Sequence, residues 1–215
     1  MSQYGLRDQS CWDIPESARR ISTFLEAAKF SMPPRKPSAA LRAFKNDKEE
    51  IPPLARTERE RVFFEFEQSL ICSSEAFYRF AGLGLGEIGK ANNLTGQENV
   101  ILQQLMFSPK PRSVSDLSRF TNRDDISNIQ YSLRKLTAAG LIEKVPGSTN
   151  RDTRYQPTAK GRKLTDELVA IRRELLIGPS SNLSDIEAQL KSAATALSLL
   201  TGLYDHMSRV LSGRV

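Results

Sequence analysis

The chain is poor in the residues that most enzyme chemistry needs. Its 215 residues include one histidine, one tryptophan and two cysteines. A lone His206 cannot build a His-based metal site, and Cys11 and Cys72 form neither a disulfide framework nor a ligand motif. No nucleophile elbow accompanies His206, so a Ser-His-Asp arrangement lacks support, and Asp205-His206 reads as a pair on a helix surface. Enzymatic activity is not expected, and no cofactor is implied. The chain lacks an apolar run of about 18 residues, which excludes a membrane-spanning helix. Its first residues carry Arg7, Asp8 and Asp13 with no apolar h-region, so no secretory signal is expected. With so little cysteine, a reducing, cytoplasmic location is the simplest expectation. Glycines 82, 84, 86 and 89 are not followed by Gly-Lys-Ser/Thr, which rules out a phosphate loop and predicts a bend or loop. Cys72 sits among apolar residues with Glu75 nearby and no adjacent Lys or Arg; a buried, inert thiol is expected.

What the chain does have is positive charge in one place. Residues 109–163 hold twelve Lys and Arg against five Asp and Glu, a balance of +7. The remaining nineteen basic and twenty acidic residues nearly cancel, so the net charge of +6 arises within this stretch. A concentrated basic patch suits a polyanion partner, bound more weakly as salt rises; a merely solvated face is the competing account.

Along the chain, residues 1–55 form an irregular extension. Prolines 15, 33, 34, 37, 52 and 53 punctuate it, and only Glu16–Phe30 has helical composition, with Pro15 suited to a helix start. A second segment, 56–178, begins with Thr57-Glu58-Arg59-Glu60, a capping box that opens a helix to about Phe80. Val62, Phe63, Phe66, Leu70, Phe77 and Phe80 give that helix more apolar surface than one core face needs. Thr95 caps the next helix, which runs to about Phe107 and is closed by Pro109 and Pro111. Ser113 opens a short helix to Phe120, the chain turns at Asn122-Arg123-Asp124, and a longer helix ends at Gly140. Asp124 is the expected N-cap there. A buried stripe at Ile126, Ile129, Leu133 and Leu136 is predicted for it. Leu141–Val145 and Thr153–Gln156 read as strands around a turn-rich loop. Helix resumes from Thr158 to Ile177 and is interrupted at Gly178–Asn182. In the last segment, 179–215, Leu183, Ile186, Leu190, Ala193, Leu197, Leu200, Tyr204, Met207 and Leu211 follow an alternating 3,4 spacing. Such a heptad seam predicts packing against another helix, within the chain or in a second copy.

Helix, short helix, turn, helix and hairpin in this order predict a mainly α fold: a winged helix–turn–helix with a two-stranded β-wing and long flanking dimerisation helices. If the stripe faces the core, the other side of the recognition helix presents Ser127, Asn128, Gln130, Tyr131, Arg134 and Lys135. Asn and Gln pair with adenine edges and Arg with guanine in a major groove. Arg123 precedes that helix. The wing tip carries Asn150, Arg151 and Arg154, which suit a minor groove or flanking phosphates. Tyr131 serves equally as a plain surface residue, and Asp152 is better placed to orient Arg154 than to touch DNA.

These residues also resemble a known family. Leu136-Thr137-Ala138-Ala139-Gly140-Leu141-Ile142-Glu143-Lys144 resembles the junction between recognition helix and wing in MarR (multiple antibiotic resistance regulator) proteins. Asp152-Thr153-Arg154 and Thr158-Ala159-Lys160-Gly161 resemble their wing and the start of the following helix. The resemblance covers about residues 57–212, with a shorter wing than usual and Pro157 where leucine is common. It implies a homodimeric, double-stranded DNA-binding regulator, more often a repressor. It also implies Arg151 and Arg154 as wing contacts and Ser127, Asn128, Tyr131 and Arg134 as groove readers. A small aromatic ligand in a crevice is a further implication, with the Phe63–Phe80 helix as one possible wall. The alternative reading is a winged-helix scaffold serving as a protein–protein interaction module.

Overall fold

The computed structural model describes residues 55–146, 153–181 and 183–213, and two compact units divide the chain between Leu168 and Val169. The expectations for Glu16–Phe30, Cys11 and Ser148–Asp152 lie outside the described residues.

In the first unit, α1 (Glu58–Leu83) opens with the expected capping box: Glu60 N donates to Thr57 Oγ1, and Thr57 N donates back to Glu60 Oε2. The glycine-rich stretch, expected as a bend or loop, instead contains a short helix, α2 (Gly86–Ala91), entered through the left-handed Gly86. Gly89 packs closely on Leu85, so its missing side chain lets this turn fold back against the core. Next come α3 (Gly96–Met106), capped by Thr95, and α4 (Val114–Thr121), capped by Ser113 with Asp116 completing its box. Asn122, left-handed at φ 51°, ends α4 and makes the turn into α5 (Ile126–Ala138). Asp125, not Asp124, is the N-cap of α5, accepting from Asn128 N at 3.0 Å. The shift by one residue follows from the turn, which leaves Asp124 O accepting from Ile126 N instead.

The sheet has three strands rather than the two expected. β1 (Arg112–Ser113), β2 (Ile142–Pro146) and β3 (Thr153–Pro157) lie antiparallel in the order β1-β3-β2. The extra strand is two residues long, too short for any alternation of side chains to mark it. The core gathers Ile101, Leu102, Leu105, Leu117, Ile129, Leu133 and Leu136 with Leu141, Ile142 and Tyr155. Each such aliphatic side chain contributes about 1.5–3 kcal/mol on burial. Ile126 departs from the predicted stripe at 40% exposed, because it is the first residue of α5 and projects beyond the layer that covers Ile129. Cys72 is exposed, not buried: Ala81 is the buried residue of α1, so most of that helix faces away from the core.

Two glycines have structural work. Gly140, at φ 70°, reverses the chain after α5, and Leu141 N reaches back to Leu136 O at 3.0 Å. Gly161 lies in α6 (Ala159–Arg172), where an added Cβ would stand 2.1 Å from Leu141 O. Helix propensity alone would make Gly161→Ala stabilising. The close backbone approach reverses that sign, and we expect a loss of about 1–3 kcal/mol in urea unfolding. A gain in stability would show that α6 does not approach the wing junction this closely.

The second unit begins at Val169, within α6. A π-helical turn, Arg173–Ile177, leads into α7 (Gly178–Ser180), so the helix continues through the predicted interruption at Gly178. Pro179 follows closely on this π-helical turn. α8 (Ile186–Leu211) carries the heptad seam from Ile186 onward, and none of its residues is buried.

Candidate nucleic-acid interface

α5 is held from beneath by Ile129, Leu133 and Leu136, and the opposite side is open. Ser127, Asn128, Gln130, Tyr131 and Arg134 are exposed there. Tyr131 is 52% exposed, with the Arg134 guanidinium 5.9 Å from its ring centroid. The structure therefore gathers five of the expected α5 residues on one surface. Asn128 is partly committed, since its side-chain amide donates to the Asp125 carboxylate that caps the helix.

Lys135 does not join them. It turns inward, with Nζ 3.3 Å from Glu98 Oε2, while Glu98 is only 3% exposed. Position 135 lies one residue from the buried Leu136 and three from the buried Ser132, so the helix's curvature puts it at the rim of the buried face. Arg123 is half-buried at the turn, where its backbone N donates to Ser118 O at 3.0 Å and its carbonyl accepts from Ser118 Oγ at 2.6 Å.

Arg154, in β3, lies opposite Ser113 and reaches the start of α4. Its Nη1 is 3.4 Å from Pro111 O and 3.8 Å from Asp116 Oδ2. The Ser113 amide and hydroxyl hold the Asp116 carboxyl below its ordinary pKa, aided by the nearby charges of Arg154 and Arg119. Arg154 thus ties wing to helix as well as offering charge. Asn150 and Arg151 lie outside the described residues.

Two residues that the sequence reading missed belong to this region. Arg112 is buried, with its guanidinium 3.8 Å above the Phe120 ring and both Nε and Nη1 lacking hydrogen-bond partners. The basic stretch therefore sends Arg112 and Lys135 inward, while Lys110, Arg119, Arg134, Lys144, Lys160, Arg162 and Lys163 remain exposed. Glu98 is the other. Burial raises its pKa, but hydrogen bonds from Thr95, Ser132 and Lys135 outweigh that effect and hold it below the ordinary carboxyl value. A carboxylate lowered on folding contributes stability above its unfolded pKa and loses it as pH falls through the folded value. Glu98→Gln is expected to flatten the stability–pH curve below about pH 5, measured by urea unfolding across pH. A curve parallel to that of the parent protein would refute an ionised Glu98. Only the capping pattern Thr95-x-x-Glu98 hinted at this residue, and that pattern says nothing of Ser132 or Lys135.

Between the C-terminal half of α1 and α2 runs a groove of about 690 Å³, lined in part by Tyr78, Arg79, Leu83, Lys90, Asn93 and Gln97. Of the Phe63–Phe80 stretch expected as a possible ligand wall, Glu75, Tyr78 and Arg79 line it and the residues before Glu75 do not. Among the described residues no helix is long and apolar enough to cross a membrane, and no cluster of His, Cys, Asp and Glu suits a metal ion.

Comparison with known proteins agrees with this architecture. Residues 94–161 match the family described as winged helix DNA-binding domain. A crystal structure of a MarR family transcription regulator aligns at TM-score 0.54 and 20% identity, over 71% of this chain and 95% of its own. The transcriptional regulator BldR from Sulfolobus solfataricus aligns at TM-score 0.52 and 22% identity, over 66% and 98%. No curated protein sequence matches significantly. The fold is that of the winged helix with flanking helices seen in these regulators.

Proposed function

We propose that this chain, a winged helix of the MarR-like kind, is a sequence-specific, double-stranded DNA-binding transcriptional repressor acting as a homodimer. The observation that carries this reading is the outer face of α5, where Ser127, Asn128, Gln130, Tyr131 and Arg134 stand exposed on a helix anchored by buried leucines and isoleucine. A helix so mounted fits a major groove, and its donors and acceptors match base edges. Arg123, Arg154 and the wing residues Asn150 and Arg151 supply backbone and minor-groove contacts. The exposed apolar side chains of α1 and α8 are the dimer-forming surfaces. Two copies would set their recognition helices into half-sites about 34 Å apart. In this scheme Lys135 reads no base. A small aromatic ligand would occupy the groove beside Tyr78 and Arg79, the ring facing tyrosine and any acid group facing arginine. In this scheme residues 1–55 form an extension, 56–178 the DNA-binding domain and 179–215 the dimerisation helix.

The test is recovery of bound fragments from sheared DNA of the source organism at two salt concentrations, with Arg134→Ala/Arg151→Ala alongside. We expect enrichment of a pseudo-palindrome by the parent protein. In the variant we expect a loss of about 1–3 kcal/mol per substituted contact and a shallower salt dependence. Salt-labile binding without any enriched sequence would instead favour the interaction-module reading, in which the exposed seam of α8 carries the function.

A further inference from the structure

Glu98, in the first turn of α3, is a buried carboxylate, and a buried charge is destabilising unless its hydrogen-bonding capacity is filled. Both oxygens are occupied. Oε2 accepts from the Thr95 amide and from Thr95 Oγ1, each at 2.7 Å, closing the capping box of α3. The remaining partners come from α5: Ser132 Oγ donates to Oε1 at 2.8 Å, and Lys135 Nζ approaches Oε2 at 3.3 Å. One side chain therefore grips the recognition helix at two points on its inner face. Lys135 Nζ also lies 5.5 Å from the Tyr131 ring, against which Arg134 rests on the outside. A continuous set of contacts runs from the core carboxylate to the exposed face.

Apolar packing around Ile129, Leu133 and Leu136 sets the depth of α5 and limits its rotation. Hydrogen bonds to one fixed carboxylate are directional and set the angle more finely. A rotation of roughly 20° moves a side-chain tip about 6 Å from the helix axis by about 2 Å, far beyond what a base-edge hydrogen bond tolerates.

We infer that Glu98 is a positioning residue for base recognition: by holding Ser132 and Lys135 it fixes the rotation of α5, and so selects which side chains meet the bases. The inference rests on the reading of α5 as the DNA-reading helix. Lys135, on this account, shapes specificity without touching DNA.

The test uses the full chain with Glu98→Leu/Ser132→Ala/Lys135→Met, which replaces the carboxylate and both of its α5 partners with apolar groups and leaves no unpaired charge. Replacing a buried ion pair in this way is commonly neutral or stabilising, so the variant is expected to remain folded. Glu98→Gln, nearly isosteric, serves as a second variant should the triple one fail to fold. The probe is a random-sequence duplex pool, from which a preferred site is selected with the parent protein. The variant is expected to bind random duplex with an unchanged salt slope, while its preference for the selected site over random duplex falls about tenfold. A folded variant with undiminished preference overturns the inference. Hydrogen exchange separates this from failure of the DNA reading itself. If the parent protein selects no site, the proposed function falls, and the anchoring role is judged by exchange alone. Amides of α5 exchanging about tenfold faster than those of α3 sustain it, and unchanged exchange in α5 overturns it.

Discussion

Glutamate at both Leu190 and Leu197 is expected to convert the proposed dimer into a monomer and to weaken binding to a duplex carrying two half-sites by about a hundredfold or more. Both leucines lie on the heptad seam of α8 and are exposed in the single chain, as are Tyr204, Met207 and Leu211 farther along it. An apolar row of this length facing water is unfavourable unless another helix covers it. In a symmetric dimer each substitution occurs twice, so burying the resulting carboxylates and losing the leucine contacts amounts to roughly 6 kcal/mol or more. Both leucine side chains are exposed in the single chain and none of α8 is buried, so its local helix is expected not to depend on them. The variant should therefore keep its helix content. Sedimentation equilibrium gives the mass, and titration against duplexes with one and two half-sites gives the loss of bivalency. A variant that stays dimeric would remove α8 from the interface and leave the exposed face of α1 as the candidate.

Within the recognition helix, two substitutions two residues apart should have opposite consequences. Leu133→Ala removes a side chain that is 1% exposed at the centre of the cluster shared with Leu117, Ile129 and Leu136. The expected loss is about 2–5 kcal/mol, combining the transfer term with the cavity left behind. That is a large fraction of the stability of a small domain. Tyr131→Ala removes a larger side chain from the outer face and should change stability by about 0.5 kcal/mol or less. Its effect should fall on DNA binding instead. Urea midpoints for the two variants, measured together, decide between orientations of α5. Equal losses, or a costly Tyr131→Ala, would mean that this tyrosine is not on the open face.

The parts of the molecule that were legible in the sequence are those governed by short-range rules. The capping box at Thr57 and the cap at Thr95 need only near neighbours in sequence, and both form as expected. Gly140 ends α5 because only a residue at ease with positive φ fits there. The hydrophobic spacing of Ile129, Leu133 and Leu136 gave the inner face of α5, and with it the outer one. Order and spacing of these elements were enough for the winged-helix fold.

Where the reading went astray, the deciding contact lies far away along the chain. Lys135 looked like one more cation on an exposed face, yet it is drawn to a carboxylate at Glu98, and Ser132 is likewise bound to a residue 34 positions earlier. β1 exists because β3 returns to pair with it, and two residues carry no pattern of their own. Arg112 is stacked on Phe120 rather than facing solvent, a pairing that no local rule encodes. The sequence by itself determined the order of elements, their caps and the apolar face of the recognition helix, since those follow from backbone hydrogen bonding and helical periodicity. Only the tertiary structure decided which charges stay outside to meet a partner and which turn inward to hold the helix, because burial and pairing are properties of residues brought together by the fold.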